Sequence, residues 1–155
     1  MNRLIRSLRS PRWVRRAINL YPPYLMTGIV VTRIDEDWRR VDVAMGLHWY
    51  NRNYFGTQFG GSLYAMTDPF LALMLAQNLG PAYTVWDRAA RIDFLRPGRG
   101  RVTASFELTP EMLADIRAAT AAGEKHQPVW PVEVRDEADE VVARVHKTLY
   151  VKLRT

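Results

Sequence analysis

The sequence contains no cysteine and three histidines. The missing thiols exclude disulfides, a thiolate nucleophile and thiolate-held metals. His48, His126 and His146 lack metal-ligand spacing, and no Ser-His-Asp arrangement is legible around them. Acids are missing from the start of the chain: Arg3, Arg6, Arg9, Arg12, Arg15, Arg16 and Arg33 all precede the first of them, Asp35. The net charge of +6 is therefore concentrated at the N-terminus. The near-neutral remainder argues against a broad nucleic-acid surface. A clean membrane span is missing too. The apolar run from Ser62 to Leu79 has the length, but Thr67, Asp68, Pro69, Gln77 and Asn78 interrupt it. The basic start carries no long apolar segment of the secretory kind, so a cytoplasmic location is the expectation.

What remains reads as one α+β domain, residues 27–155, behind a basic amphipathic arm, residues 1–26. In the arm, Leu4, Ile5 and Leu8, then Trp13, Val14, Ala17 and Ile18, recur at helical spacing between arginines, with Pro11 dividing two short helices. Such an arm packs its apolar side on the body, contacts anionic lipid, or meets ligand phosphates; the first is the simplest. Tyr21-Pro22-Pro23-Tyr24 reads as a break. Gly28 to Ile34, and Val41, Val43 and Met45, form a hairpin about an acidic turn. Further strands fall at Thr84 to Leu95, Val102 to Leu108, Trp130 to Arg135 and Val141 to Leu153, the last with Lys147 breaking its apolar set. Thr109, Pro110 and Glu111 open a helix that Gly123 closes. This order predicts an antiparallel sheet of about five or six strands wrapped around one apolar helix.

That helix is the stretch around which the chain is organised. Gly60 and Gly61 enter it, Gly80 and Pro81 stop it, and from Gly60 to Leu79 it would be about 30 Å long. Its single charge, Asp68, stands before Pro69, which removes a helix hydrogen bond. The expectation is a kink at Asp68 that leaves the Ala65 carbonyl unpartnered. A carboxylate in so apolar a helix is either structurally paired or marks a site.

The chemistry available there is specific. Backbone N–H groups at the helix start, opened by Gly60 and Gly61, can receive the oxygen of a polarised carbonyl. Asn53 can add a donor, and Asp68 can act as general base or nucleophile. Seven residues of helix separate Gly61 from Asp68, about 10 Å, so one helix cannot bring both to one carbonyl. A second, antiparallel copy can, which predicts a homodimer with composite sites.

At these residues the sequence resembles the hotdog-fold acyl-CoA thioesterases of the phenylacetyl-CoA thioesterase type. The likeness is carried by Asn53, Gly56, Phe59-Gly60-Gly61 and Asp68, by Ile92-Asp93-Phe94-Leu95-Arg96-Pro97-Gly98, and by Val132-Glu133-Val134 through Val141-Val142-Ala143 to Tyr150. It is nearest a subfamily, loosely assigned as tetrameric acyl-CoA thioesterases, with Phe-Gly-Gly in place of His-Gly-Gly. The resemblance implies a hotdog fold, a dimer with a joined sheet, often a tetramer, and hydrolysis of acyl-CoA thioesters without metal or prosthetic group. It makes Asp68 the base or nucleophile, Gly61 the oxyanion donor and Asn53 the polar group near the thioester. Phe59 in place of His removes a polar side chain from beside the carbonyl, which opens a second reading as a non-catalytic acyl-thioester or lipid binder. The helix from Pro110 to Ala122 is a further departure from the minimal pattern.

Phe59, Gly60, Ser62 and Trp86 are candidate substrate contacts, with core packing as the plainer role, and Trp86, Asp87 and Arg88 either border the substrate channel or form a strand start. Arg91, Arg96, Arg99 and Arg101 form a basic cluster that meets CoA phosphates or lines a solvated strand edge. A hydratase or dehydratase on the same scaffold ranks last, because no histidine lies in the helix or its entry.

Overall fold

A computed structural model describes residues 10–154. The first half of the arm, with Leu4, Ile5 and Leu8, lies outside them. The chain runs α1 (Pro11–Asn19), α2 (Pro22–Thr27), β1 (Ile29–Ile34), β2 (Arg40–Met45), α3 (Gly60–Ala65), α4 (Phe70–Leu79), β3 (Tyr83–Phe94), β4 (Val102–Glu107), α5 (Pro110–Thr120), β5 (Val129–Arg135) and β6 (Val141–Leu153). All six strands join one sheet in the order β1-β2-β4-β5-β6-β3, and every neighbouring pair is antiparallel.

Three sequence expectations are corrected. Tyr21 to Tyr24 is the start of a helix, not a break: the paired prolines occupy the first positions of α2, where a missing N–H costs nothing. The central helix is not one rod but two, α3 and α4. Pro69 has no N–H to give the Ala65 carbonyl, and the helix stops there. That carbonyl is nevertheless partnered, accepting from the Asp68 N–H at 3.2 Å and from the Tyr24 hydroxyl at 3.4 Å. The chain restarts when the Leu73 N–H bonds the Pro69 carbonyl at 3.0 Å. The Asp68–Pro69 peptide is cis.

The core lies between the sheet and α4. Phe70, Leu71, Met74 and Leu75 of α4 are buried against the inward residues of the strands, among them Val43, Phe106, Val134, Leu149 and Val151. Phe70 is fully buried with its ring 5.1 Å from that of Phe106 and 6.1 Å from that of Tyr24, distances at which aromatic pairs add to simple burial. The helix from Pro110 forms as expected: the Thr109 hydroxyl accepts from the Met112 N–H at 3.2 Å, and α5 packs on β6 and α4. Gly123, at φ +82°, ends it.

The two sheet edges are treated differently. α1 and α2 pack on β1, and side chains occupy its free backbone groups. Asn19 accepts from the Val31 N–H at 2.8 Å and donates to the Val31 carbonyl at 3.1 Å, while Arg15 donates to the Thr32 carbonyl at 2.8 Å. The arm thus caps one edge. Among the described residues no strand pairs with the outer edge of β3, which is 12 residues long and exposes Trp86 and Phe94. No helix among the described residues is long and apolar enough to cross a membrane.

Replacing Phe70 with alanine removes the ring shared by the arm, the sheet and α4. The expected loss is about 3–5 kcal/mol of unfolding free energy, read from urea denaturation; a loss below 1 kcal/mol would show that the ring is not central to the core.

Candidate functional site

The break between α3 and α4 turns the Asp68 side chain out of the core. It is 47% exposed and lines a cleft of about 530 Å³ whose other walls are Ile18, Tyr21, Pro23 and Tyr24 of the arm and Tyr64, Ala65 and Pro69. The arm therefore packs on the body and supplies one wall of the cleft at Asp68. The Tyr24 hydroxyl donates to the Asp68 backbone carbonyl. Burial, then the Asp68 charge and Tyr21, push the Tyr24 hydroxyl above its usual range, so it stays a donor.

Behind Asp68 lies a lysine. Lys147, at a central inward position of β6, is completely buried. Its Nζ donates to Asp68 Oδ1 at 3.1 Å and stands 3.1 Å from Asp87 Oδ1, an ion pair outside hydrogen-bond geometry. The Tyr64 ring centroid is 5.3 Å from the same Nζ, a cation–π contact. Burial alone would lower the lysine's pKa; the attraction of Asp87 and Asp68 overrides it and pushes the pKa up, so the ammonium is retained. Asp87 is the more enclosed carboxylate, 17% exposed in its side chain. Burial and the neighbouring Asp68 carboxylate raise its pKa to about 6, against the opposing pull of Lys147.

A β-bulge brings Asp87 into this group. In the β3–β6 register Asp87 faces Leu149 and Ala90 faces Lys147, with the shift falling between Asp87 and Ala89. Strict alternation would put Asp87 and Ile92 on opposite faces; the extra residue lets both face the core. Trp86 goes the other way. It stacks on Tyr150 with ring centroids 3.9 Å apart, on the face of the sheet away from Asp68.

The remaining sequence candidates gather elsewhere. Asn53, Gly60, Leu63, Phe94, Arg96 and Arg99 border a second cleft of about 630 Å³ that shares no residue with the one at Asp68. Asn53 holds the loop before α3: its Oδ1 accepts from the Phe55 and Thr57 N–H groups at 2.9 and 3.1 Å, and its Nδ2 donates to Thr57 Oγ1 at 2.9 Å. What approaches the two glycines is aromatic. A Cβ on Gly61 would lie 2.5 Å from the Phe59 ring, and one on Gly60 would lie 2.9 Å from the Phe94 ring. Ser62 is buried. Arg96 pairs with Glu140, and Arg91 with Asp93 at 2.9 Å, which ties two of the four clustered arginines to acids of the same chain.

A family profile, the domain of unknown function DUF4442, matches residues 11–151. The chain belongs to this family. No curated protein matches the sequence. Solved structures are similar across nearly the whole chain. A Pseudomonas aeruginosa protein of unknown function, termed a probable thioesterase, aligns with a TM-score of 0.79 at 16% identity, over 92% of this chain and 95% of its own. A Haemophilus influenzae thioesterase aligns at 0.66 and 19% identity, over 92% and 90%. The Escherichia coli PaaI protein of the phenylacetic acid degradation operon aligns at 0.59 and 18% identity, over 92% and 94%. At these identities the likeness establishes the fold, the hotdog fold of these proteins.

Sequence reasoning missed Lys147 as a member of the site, and it placed Asp87 beside the substrate channel or at a strand start without joining it to Lys147 and Asp68. The signal for the first was present, a cation in an apolar strand face. The second depends on the bulge. Because the folded-state pKa of Asp87 lies above that of the unfolded chain, its contribution to stability is fully present below about pH 4 and is lost as pH rises through about 6. Relative to Asp87→Asn, the wild type should therefore lose about 2 kcal/mol of unfolding free energy between pH 4 and 7. Parallel denaturation curves at the two pH values check this; a constant difference would refute it.

Proposed function

We propose that the chain is an acyl-CoA thioesterase acting on small or medium acyl groups. The observation that carries this reading is the Asp68 carboxylate, presented at a helix break into a largely apolar cleft on a fold shared with thioesterases. Asp68 takes a proton from water as the water attacks the thioester carbonyl; the C–S bond breaks, the departing sulfur receives that proton back from Asp68, and the thiol of CoA leaves with the free acid as second product. Attack by the carboxylate itself, through an anhydride, is the variant of the same chemistry. The Gly61 N–H receives the developing oxyanion, and Asn53 contributes through the loop it holds. Arg99, on the border of the second cleft, is suited to CoA phosphates.

The separation of the two clefts supports a site made by two copies. Asp68 of one chain serves the carbonyl held at Gly61 of the other, in a homodimer that joins sheets along the open edge of β3 and pairs further to a tetramer. The second reading, a non-catalytic acyl-thioester binder, is favoured by one observation: the Phe59 ring, where the resembled thioesterases carry a histidine, lies against Gly61.

Thiol release from a panel of acyl-CoAs, with wild type and Asp68→Asn side by side, separates the two. Turnover by wild type that falls at least 100-fold in a folded Asp68→Asn supports the hydrolase; saturable acyl-CoA binding without thiol release at any chain length supports the binder. The shared site has its own check. Asp68→Asn and Gly61→Val should each be inactive, and co-expressed as mixed oligomers they should recover part of the wild-type turnover; no recovery in verified mixed oligomers would exclude sites shared between chains.

A further inference from the structure

Resting on the thioesterase reading of Asp68, we propose that Lys147 and Asp87 are positioning residues: a buried ion pair that fixes the Asp68 carboxylate at the cleft and stays electrically balanced when Asp68 takes up a proton. The geometry separates the roles. Asp68 is the one member of the trio that lines the cleft, whereas Lys147 is wholly enclosed and Asp87 nearly so. Neither lines that cleft, yet both hold the carboxylate that does.

The charges explain why two carboxylates are needed. A buried ammonium paired with Asp68 alone would hold that carboxylate ionised and make it a poor base, because each proton it gained would leave Lys147 without a counter-ion. Asp87 is that second counter-ion. When Asp68 is protonated, Lys147 and Asp87 remain a neutral pair; when both acids are ionised, the single cation is shared at 3.1 Å from each. The other ionisable groups turned toward the trio are Tyr24 of α2, whose hydroxyl bonds the Asp68 backbone, and Tyr64 of α3, whose ring faces Lys147. Burial and the Asp68 charge push the Tyr24 hydroxyl up, so it stays neutral. Burial and the neighbouring Asp68 carboxylate push the Asp87 carboxyl up to about 6.

Two opposed substitutions test this. Lys147→Met leaves two carboxylates without their cation, so the acid limb of the kcat/KM profile should move up by about one pH unit or more. Asp87→Asn leaves the cation to Asp68 alone, so the limb should move down and kcat should fall while KM stays within about twofold. The double variant Lys147→Met/Asp87→Asn should lie closer to wild type in its limb than Lys147→Met does. Shifts of one sign in both single variants, or changes in KM alone, would overturn the proposal. A readout that needs neither turnover nor these variants is carboxyl-carbon NMR of wild type and Asp68→Asn. Asp87 should titrate near pH 6 in the first and return toward the ordinary carboxylate range in the second. Ordinary titration of Asp87 in wild type would sink the inference whether or not any thioester is cleaved. An Asp87 step that responds to Asp68, with no hydrolysis, would retain the trio and remove the thioesterase reading.

Discussion

A lysine on the inward face of a central strand cannot stand alone, and much of the site's architecture answers to that constraint. The cost of enclosing the Lys147 ammonium is met by two carboxylates and an aromatic ring drawn from α3, the break that follows it and β3. Asp68 reaches it because Pro69 ends α3 and leaves the chain free to turn there. Asp87 reaches it because β3 carries a bulge that resets its alternation. Neither acid would face the lysine in an unbroken helix or a regular strand. The charge cluster and the two backbone irregularities are therefore one arrangement.

The same break divides the surface along α3. At its start, Gly60 and Gly61 are closely approached by the rings of Phe94 and Phe59, and a cleft opens toward Arg99. At its end, Asp68 opens into a cleft walled by tyrosines of the arm. The two clefts lie one helix apart, and each sets charged side chains among mostly apolar walls.

The arm does two jobs with one set of contacts. Its polar side chains, Asn19 and Arg15, satisfy the free edge of β1, which removes one exposed edge of the sheet. Its aromatic end closes the cleft at Asp68, with Tyr24 bonded to the backbone of the break itself. The opposite edge, β3, has no such cover among the described residues.

The sequence by itself determined the alternating strands, the capped helix at Thr109, the glycine entry and glycine stop of the central segment, and the isolation of Asp68 beside a proline. Each of these is written in local periodicity or in the backbone limits of glycine and proline. It also marked Lys147 as out of place in an apolar strand face. It did not reveal the interruption of the central helix, because a proline that only kinks a helix and one that ends it read alike until the packing around them is known. Nor did it reveal what Lys147 meets. Asp68 lies 79 residues away in sequence, and Asp87 faces inward only through a bulge that its neighbours do not announce. Which charges share one buried volume is decided by strand order and register, and only the tertiary structure sets those.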